Sequence, residues 1–263
     1  MYSNSLRPED TCVAAEIDMI NFVGYHRTEN EDNCCINSYF IPLDELNSNM
    51  ECTTHHQSKT HLYGVFDGVG GDASGEIASL AAAHFFASMS QEDIHLWEEE
   101  PDLVRAMCCR ANEDVTSYAA GSATTMVLLG IANSCAYTVH LGDSRAYLLR
   151  RGQLRALTSD HTAPRPEAGE RSHCITRFLG APLEQEVCLP DPCTVTPLEE
   201  GDVFLLCSDG LTDMVDEQRI QDILMAESTS QHQQVIALVK EALSGGGLDN
   251  ITAMLVRITG LER

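Results

Sequence analysis

The chain has 263 residues, 43% of them hydrophobic, which suits one large domain or two small ones. Its 16 Lys and Arg face 40 Asp and Glu, a net charge of −24 that argues against nucleic-acid binding, because a phosphate backbone would repel the chain. No apolar run approaches the length that spans a bilayer, and residues 1–8 lack a charged-then-apolar leader pattern, so no membrane association and a cytoplasmic location are expected.

Residues 1–12 are polar and read as a loose end. Residues 11–23 predict a first strand, with Val13, Ala15, Ile17 and Met19 at spacing two. Residues 34–41 predict a second strand, and the polar residues 42–60 an extended hairpin loop. Cys52, His55, His56 and His61 offer soft-metal donors there, but read more simply as a polar loop with coincidental histidines. Residues 61–66 form a short apolar run that ends in Asp67. The period then changes: Ile77, Leu80, Ala81, His84 and Phe85 share one helical face. Residues 101–118 repeat the pattern, with Pro101 suited to a first helical turn. Two helices in succession argue against an alternating βαβ sheet.

Residues 122–132, 135–141, 145–149 and 154–158 predict four strands in close succession, read as an antiparallel meander. Residues 160–175 read as a loop and 203–207 as a buried strand. Two helices follow, one marked by Ile220, Ile223 and Leu224, the other by Val235, Leu238, Val239 and Ala242 and stopped at Gly245. Residues 251–258 predict the last strand. With no internal repeat and no linker, one domain over 1–263 is expected, of α+β class: antiparallel sheet on antiparallel sheet with helices outside. The 11 cysteines include no Cys-x-x-Cys pair, and several fall inside apolar runs, so they read as small buried hydrophobes in a reducing compartment.

Five acidic signatures remain: Asn30-Glu31-Asp32-Asn33, Phe66-Asp67-Gly68-Val69-Gly70-Gly71, Gly142-Asp143-Ser144-Arg145, Ser208-Asp209-Gly210-Leu211 and Asp249-Asn250-Ile251-Thr252. Asp67, Asp143 and Asp209 each follow an apolar run, so each strand would deliver a carboxylate to a common edge. Clustered carboxylates repel one another, and hard divalent cations such as Mg²⁺ and Mn²⁺, which prefer oxygen ligands, relieve that repulsion.

Taken in order, with Arg27 four residues before Glu31 and with Leu157-Thr158-Ser159-Asp160-His161 between the third and fourth signatures, these motifs resemble the metal-dependent serine/threonine protein phosphatases, the PPM or protein phosphatase 2C family. The likeness runs from Gly24 to Ile258. Each motif alone is commonplace; their order and spacing carry the resemblance. It implies a four-layer sandwich, two antiparallel sheets flanked by helix pairs, with two Mn²⁺ or Mg²⁺ ions at one end. Asp67 would bridge the ions, the Gly68 carbonyl would contact one, and Asp209 and Asp249 would complete the other. A water shared by the metals would attack phosphorus in line, with no phosphoenzyme intermediate. Arg27 would grip the phosphate, and Glu31 and Asp32 would order metal-bound waters. Asp143 and Asp213, with Asp209, would hold a third ion, as in bacterial-type members. The implied partners are phosphoprotein substrates and a serine/threonine kinase with shared targets, and a monomer is expected.

Local readings stay open at several positions. Asp143 equally suits a hairpin turn, and Asp213 equally suits capping a helix near Asp216. Asp160 and His161 read as fixing a loop, and Asn250 as orienting Asp249. Val69 stands where many eukaryotic members carry a histidine that can protonate the leaving alcohol. The flap region, 161–176, is short for the family, which implies a more open site. Cys34 and Cys35 raise the question of redox sensitivity. Two alternatives accompany the phosphatase reading: an inactive phosphoprotein-binding regulator of the same fold, and a hydrolase of small phosphate esters.

Overall fold

The structure is a computed structural model that describes residues 11–69, 74–164, 173–182, 186–226 and 229–262. The expected loose end up to residue 10, Gly70 and Gly71, and the centre of the expected flap at 165–172 lie outside them. The first half comprises β1 (Cys12–Phe22), β2 (Asp32–Ile36), β3 (Tyr39–Phe40), β4 (Met50–Ser58), β5 (His61–Val69), α1 (Gly75–Ser88), α2 (Pro101–Tyr118) and β6 (Ala123–Thr124). Next come β7 (Met126–Ala132), β8 (Cys135–Leu141), β9 (Arg145–Arg150), β10 (Gln153–Ala156), β11 (Thr162–Pro164), β12 (His173–Ile175), β13 (Thr194–Pro197) and β14 (Val203–Cys207). The chain closes with α3 (Asp209–Thr212), α4 (Glu217–Leu224), α5 (Gln231–Ser244) and β15 (Ile251–Glu262).

Two antiparallel sheets dominate. One runs β10-β9-β14-β15-β1-β4; the other runs β13-β8-β7-β5-β2-β3, with β6 against the end of β5. The period-two pattern of β1 turns Val13, Ile17 and Met19 onto Val65, Val127, Leu129 and Ile131 of the facing sheet. Phe66 and Leu128, on the other face of that second sheet, pack against Phe86, Trp97 and Cys108 of the α1–α2 layer. Leu205 and Leu255, on the outer face of the first sheet, pack against Ile220 and Leu238 of α4 and α5. Three apolar interfaces thus separate four layers, the expected sandwich. Each fully buried leucine-sized side chain contributes about 1.5–3 kcal/mol to holding it. Among the described residues no helix is long and apolar enough to cross a membrane.

Four sequence expectations change, the first at residues 160–175, where β11 and β12 pair at the two ends of the expected loop. The expected meander is two hairpins in different sheets: β7 pairs with β8, β9 pairs with β10, and the chain crosses between sheets at Gly142-Asp143. Gly142 adopts φ +98°, a conformation that favours glycine, so the turn is sharp enough for the crossing. Residues 34–41 are not one strand, because Asn37 takes φ 55° and folds β3 back on β2. Most of the expected loop at 42–60 is β4, paired along β1 from Val13 to Asn21. As an edge strand it alternates half-buried and exposed residues without an apolar face, so its polar composition hid it. That alternation also sets exposed His55 opposite Cys52 and His56, so these donors do not converge, while His56 stacks with His61 and Tyr63.

Asp202, 1% exposed, accepts bonds from Arg150 Nε at 2.7 Å and Nη2 at 2.6 Å, tying β9 to the start of β14. Arg150→Ala would leave that carboxylate buried and unpaired. We expect urea denaturation to read a loss of about 2–4 kcal/mol, whereas a loss under 1 kcal/mol would mean that solvent replaces the pair.

Candidate metal centre

Every acidic signature reaches the same end of the sandwich. Asp67 lies near the C-terminal end of β5 and pairs in register with Asp32 at the start of β2. Asp209 opens α3 directly after β14, Asp249 immediately precedes β15, and Asp143 sits on the crossing from β8 to β9. Strand order explains the gathering: β14, β15 and β1 are neighbours in one sheet, β8, β7, β5 and β2 in the other.

The backbone is pinned around these carboxylates. Thr125 N and Thr124 Oγ1 donate to Asp67 O at 2.8 and 2.9 Å, and Asp67 N donates to Thr125 Oγ1 at 3.0 Å. Gly68 N donates to Glu31 O at 3.0 Å. A side chain at Gly68 would meet Glu31 O at 2.6 Å, so the close approach of these two segments needs glycine. Asn250 does more than orient Asp249: its Oδ1 accepts from Glu31 N at 2.8 Å, while its Nδ2 donates to Val23 O and Glu29 O at 2.8 and 3.0 Å. One amide therefore ties the Arg27-bearing loop to the segment before β15.

Asp32 is 1% exposed. Its Oδ2 accepts from Ser208 Oγ and Thr252 Oγ1, both at 2.7 Å, and its Oδ1 has no protein partner. These two hydroxyls were not singled out from the sequence. The available signal was Ser208 beside Asp209 and Thr252 three residues after Asp249, which is weak by itself. Asp209 Oδ1 and Asp143 Oδ1 are likewise buried without a protein partner. At the rim, Arg27 Nη2 donates to Asp249 Oδ2 at 2.8 Å, and Nη1 lies 3.5 Å from Glu31 Oε2.

Asp143 lies on the crossing, not in a hairpin turn. Asp213 stands one turn from Asp209, and both bear electrostatically on each other's surroundings. The helix that follows is capped by Asp216, whose Oδ1 accepts from Arg219 N at 2.8 Å, so Asp213 is not that cap. Asp160 holds Arg145 bidentately at 2.8 and 2.7 Å, and His161 stacks on His140 at 4.3 Å. Both fix the loop, as expected. Cys34 and Cys35 are fully buried in β2, and burial pushes both thiols up, away from the reactive thiolate. A cavity of about 690 Å³ between α1 and α2 is lined by none of these site residues.

Burial, then the negative neighbours Asp209, Asp32, Asp249 and Asp143, raise the Asp67 carboxyl well above the usual range. Burial, then Asp143, Asp213 and Asp249, push Asp209 up to about 8. Burial pushes Asp32 up to about 7 despite its two hydroxyl donors, and Asp143 to about 6. Groups raised this way bind protons more tightly folded than unfolded. Their stabilising share is complete below the ordinary carboxylate pKa and is lost as pH rises through about 6–8. The Tm of protein in EDTA is therefore expected to fall between pH 5 and 8, and Mn²⁺ to flatten the slope. A Tm that rises over that window in EDTA would show that these carboxylates are already satisfied.

Orphaned, buried, anionic oxygens are what a hard divalent cation uses, so the donor set fits Mn²⁺ or Mg²⁺. The described residues hold no closed cage of three or more ligating side chains. Mg²⁺ does not require one, since it keeps much of its water.

Comparison with known proteins agrees with this geometry. A family model described as protein phosphatase 2C matches residues 50–244. The serine/threonine phosphatase stp of Listeria monocytogenes is 34% identical over 212 residues, 73% of this chain and 82% of that protein. The protein phosphatase PhpP of Streptococcus pneumoniae is 30% identical over 259 residues, 92% of this chain and 96% of that one. The solved catalytic domain of the serine/threonine protein phosphatase PstP, in complex with two manganese ions, superposes with a TM-score of 0.67 at 28% identity, covering 94% of this chain and all of that one. On its fold, its gathered carboxylates and these likenesses, the chain belongs to the protein phosphatase 2C family.

Proposed function

We propose that residues 1–263 act as one phosphatase domain that hydrolyses phosphoserine and phosphothreonine on proteins, with Asp67, the Gly68 carbonyl, Asp209 and Asp249 as the metal ligands. The observation that carries this reading is the convergence of Asp67, Asp209 and Asp249 from three distant segments beneath the Arg27 guanidinium. Bound there, two Mn²⁺ or Mg²⁺ ions would supply Lewis acidity and would lower the pKa of water for in-line hydrolysis of the phosphate ester. Arg27 binds the phosphate oxygens with its planar fork and exchanges its contact with Asp249 for them. Glu31 and Asp32 orient water around the ligands, Asp32 from a position fixed by Ser208 and Thr252. Asp143 and Asp213 extend the acidic cluster beyond Asp209 and provide for a third ion. Val69, 42% exposed, cannot donate a proton, so the leaving alcohol takes its proton from water.

This reading takes the chain as a monomer working in the cytoplasm, opposite a serine/threonine kinase that acts on the same targets. A phosphothreonine peptide and a small aryl phosphate, assayed side by side with Mn²⁺, test the substrate class. The peptide is expected to show the higher kcat/KM by at least about tenfold. A higher value for the aryl phosphate would favour the small-ester reading, and binding of the peptide without turnover would favour a non-catalytic regulator.

A further inference from the structure

Exposed large apolar side chains are ordinarily scattered singly over a protein surface. Here Tyr39, Leu43, Tyr118 and Met225 lie on segments away from the acidic signatures, and Val69 stands singly after Gly68. Tyr25, 67% exposed, and Leu248, 54% exposed, do not. They come from opposite ends of the chain, on two segments joined by the Tyr25 N to Gly247 O bond. Tyr25 stands two residues before Arg27, and Leu248 directly precedes Asp249, the carboxylate that Arg27 holds at 2.8 Å.

Their placement is built rather than loose. Tyr25 N donates to Gly247 O at 2.9 Å, and the Tyr25 ring packs edge-on against Phe22 with centroids 6.5 Å apart. A Cβ at Gly247 would meet Tyr25 Cδ2 at 3.2 Å, so the tyrosine ring covers that glycine, one residue from Leu248. Gly24, at φ +85°, brings the turn against the Asp249 carbonyl. The ring has only two side-chain torsions, so little freedom is lost when something rests on it.

We propose that Tyr25 and Leu248 form an apolar shelf beside the phosphate clamp, which receives an apolar side chain lying within two residues of the phosphorylated residue in a substrate of positive net charge. The proposal rests on the phosphatase reading and adds a sequence preference to it. Two residues of extended chain span about 7 Å, so a substrate side chain that near the phosphorylated residue stays within reach of the segments that carry Arg27 and Asp249. The charge preference follows from the net −24 of the chain and from Glu29 and Glu31, which flank the clamp.

Four phosphothreonine peptides test it with the full chain and Mn²⁺: leucine or glycine beside the phosphothreonine, and lysine or glutamate at the outer positions. The leucine peptides are expected to exceed the glycine peptides in kcat/KM by about tenfold, mainly through KM. The lysine series should exceed the glutamate series by a margin that shrinks with salt. In the double variant Tyr25→Ser, Leu248→Ser the leucine-to-glycine ratio should fall to about one. Both side chains are exposed, so a Tm within about 2 °C of wild type is expected. Equal hydrolysis of leucine and glycine peptides by the wild type, or a ratio that survives in the double variant, would overturn the shelf while leaving the phosphatase reading standing. Equal or better hydrolysis of the glutamate series would overturn the charge preference. Hydrolysis of none of the four peptides would remove the phosphatase reading and the shelf together.

Discussion

Asp209→Asn is expected to lower kcat/KM for a phosphothreonine peptide by more than about 100-fold, the upper range for residues that merely support a metal ligand. The same substitution should raise the Tm of the protein in EDTA. The two effects have one cause. Asp209 is buried beside Asp67, Asp143, Asp213 and Asp249, with Oδ1 unpartnered. Its charge is costly to the fold and serves only to hold a cation. An asparagine of the same shape keeps the packing and removes the repulsion. Thermal scans with and without Mn²⁺ read both sides: the wild type should gain from the metal, and the variant should gain little. A variant less stable than wild type in EDTA would mean that Asp209 supports the fold in its own right.

Arg27→Ala is expected to cost about 10² to 10³ in kcat/KM, the range for loss of one preorganised donor to a developing anion. The side chain is 45% exposed and its ion pairs with Glu31 and Asp249 lie at the rim, so stability should change by less than about 0.5 kcal/mol. Arg27→Lys should recover only part of the loss, because a point charge cannot grip two phosphate oxygens as the guanidinium fork does. Kinetics of the two variants on one phosphopeptide decide the matter. An Arg27→Ala enzyme within fivefold of wild type would place the phosphate contact elsewhere.

The parts of the molecule legible in the sequence were those where local signals are strong. Each of the three long helices carries a local mark: the change of period opens α1, Pro101 opens α2, and Gly245 stops α5. The ends of β8 and β14 were readable because an apolar run stops at Gly142 or at Ser208-Asp209, whereas β5 runs on past Asp67 to Val69, where it pairs with β6. What the sequence hid was set by long-range pairing. Nothing local tells β8 and β9 that they belong to different sheets; only the crossing at Gly142 separates them. Strand β4 looked like a loop because an edge strand covers one face only partly. Within the site, the aspartates were visible as motifs, whereas the hydroxyls of Ser208 and Thr252 on Asp32 and the bracing by Asn250 were not. Those contacts join residues more than 170 positions apart, and no periodicity announces them.

The gathered carboxylates are expected to make the chain a metal-dependent phosphatase. Phosphate release from a phosphothreonine peptide, measured for the wild type with Mn²⁺, with EDTA, and with Mn²⁺ restored after EDTA, tests it most directly. We expect turnover with Mn²⁺, none with EDTA, and full recovery on restoration. Equal turnover with EDTA, or folded protein that releases no phosphate with Mn²⁺, would contradict it.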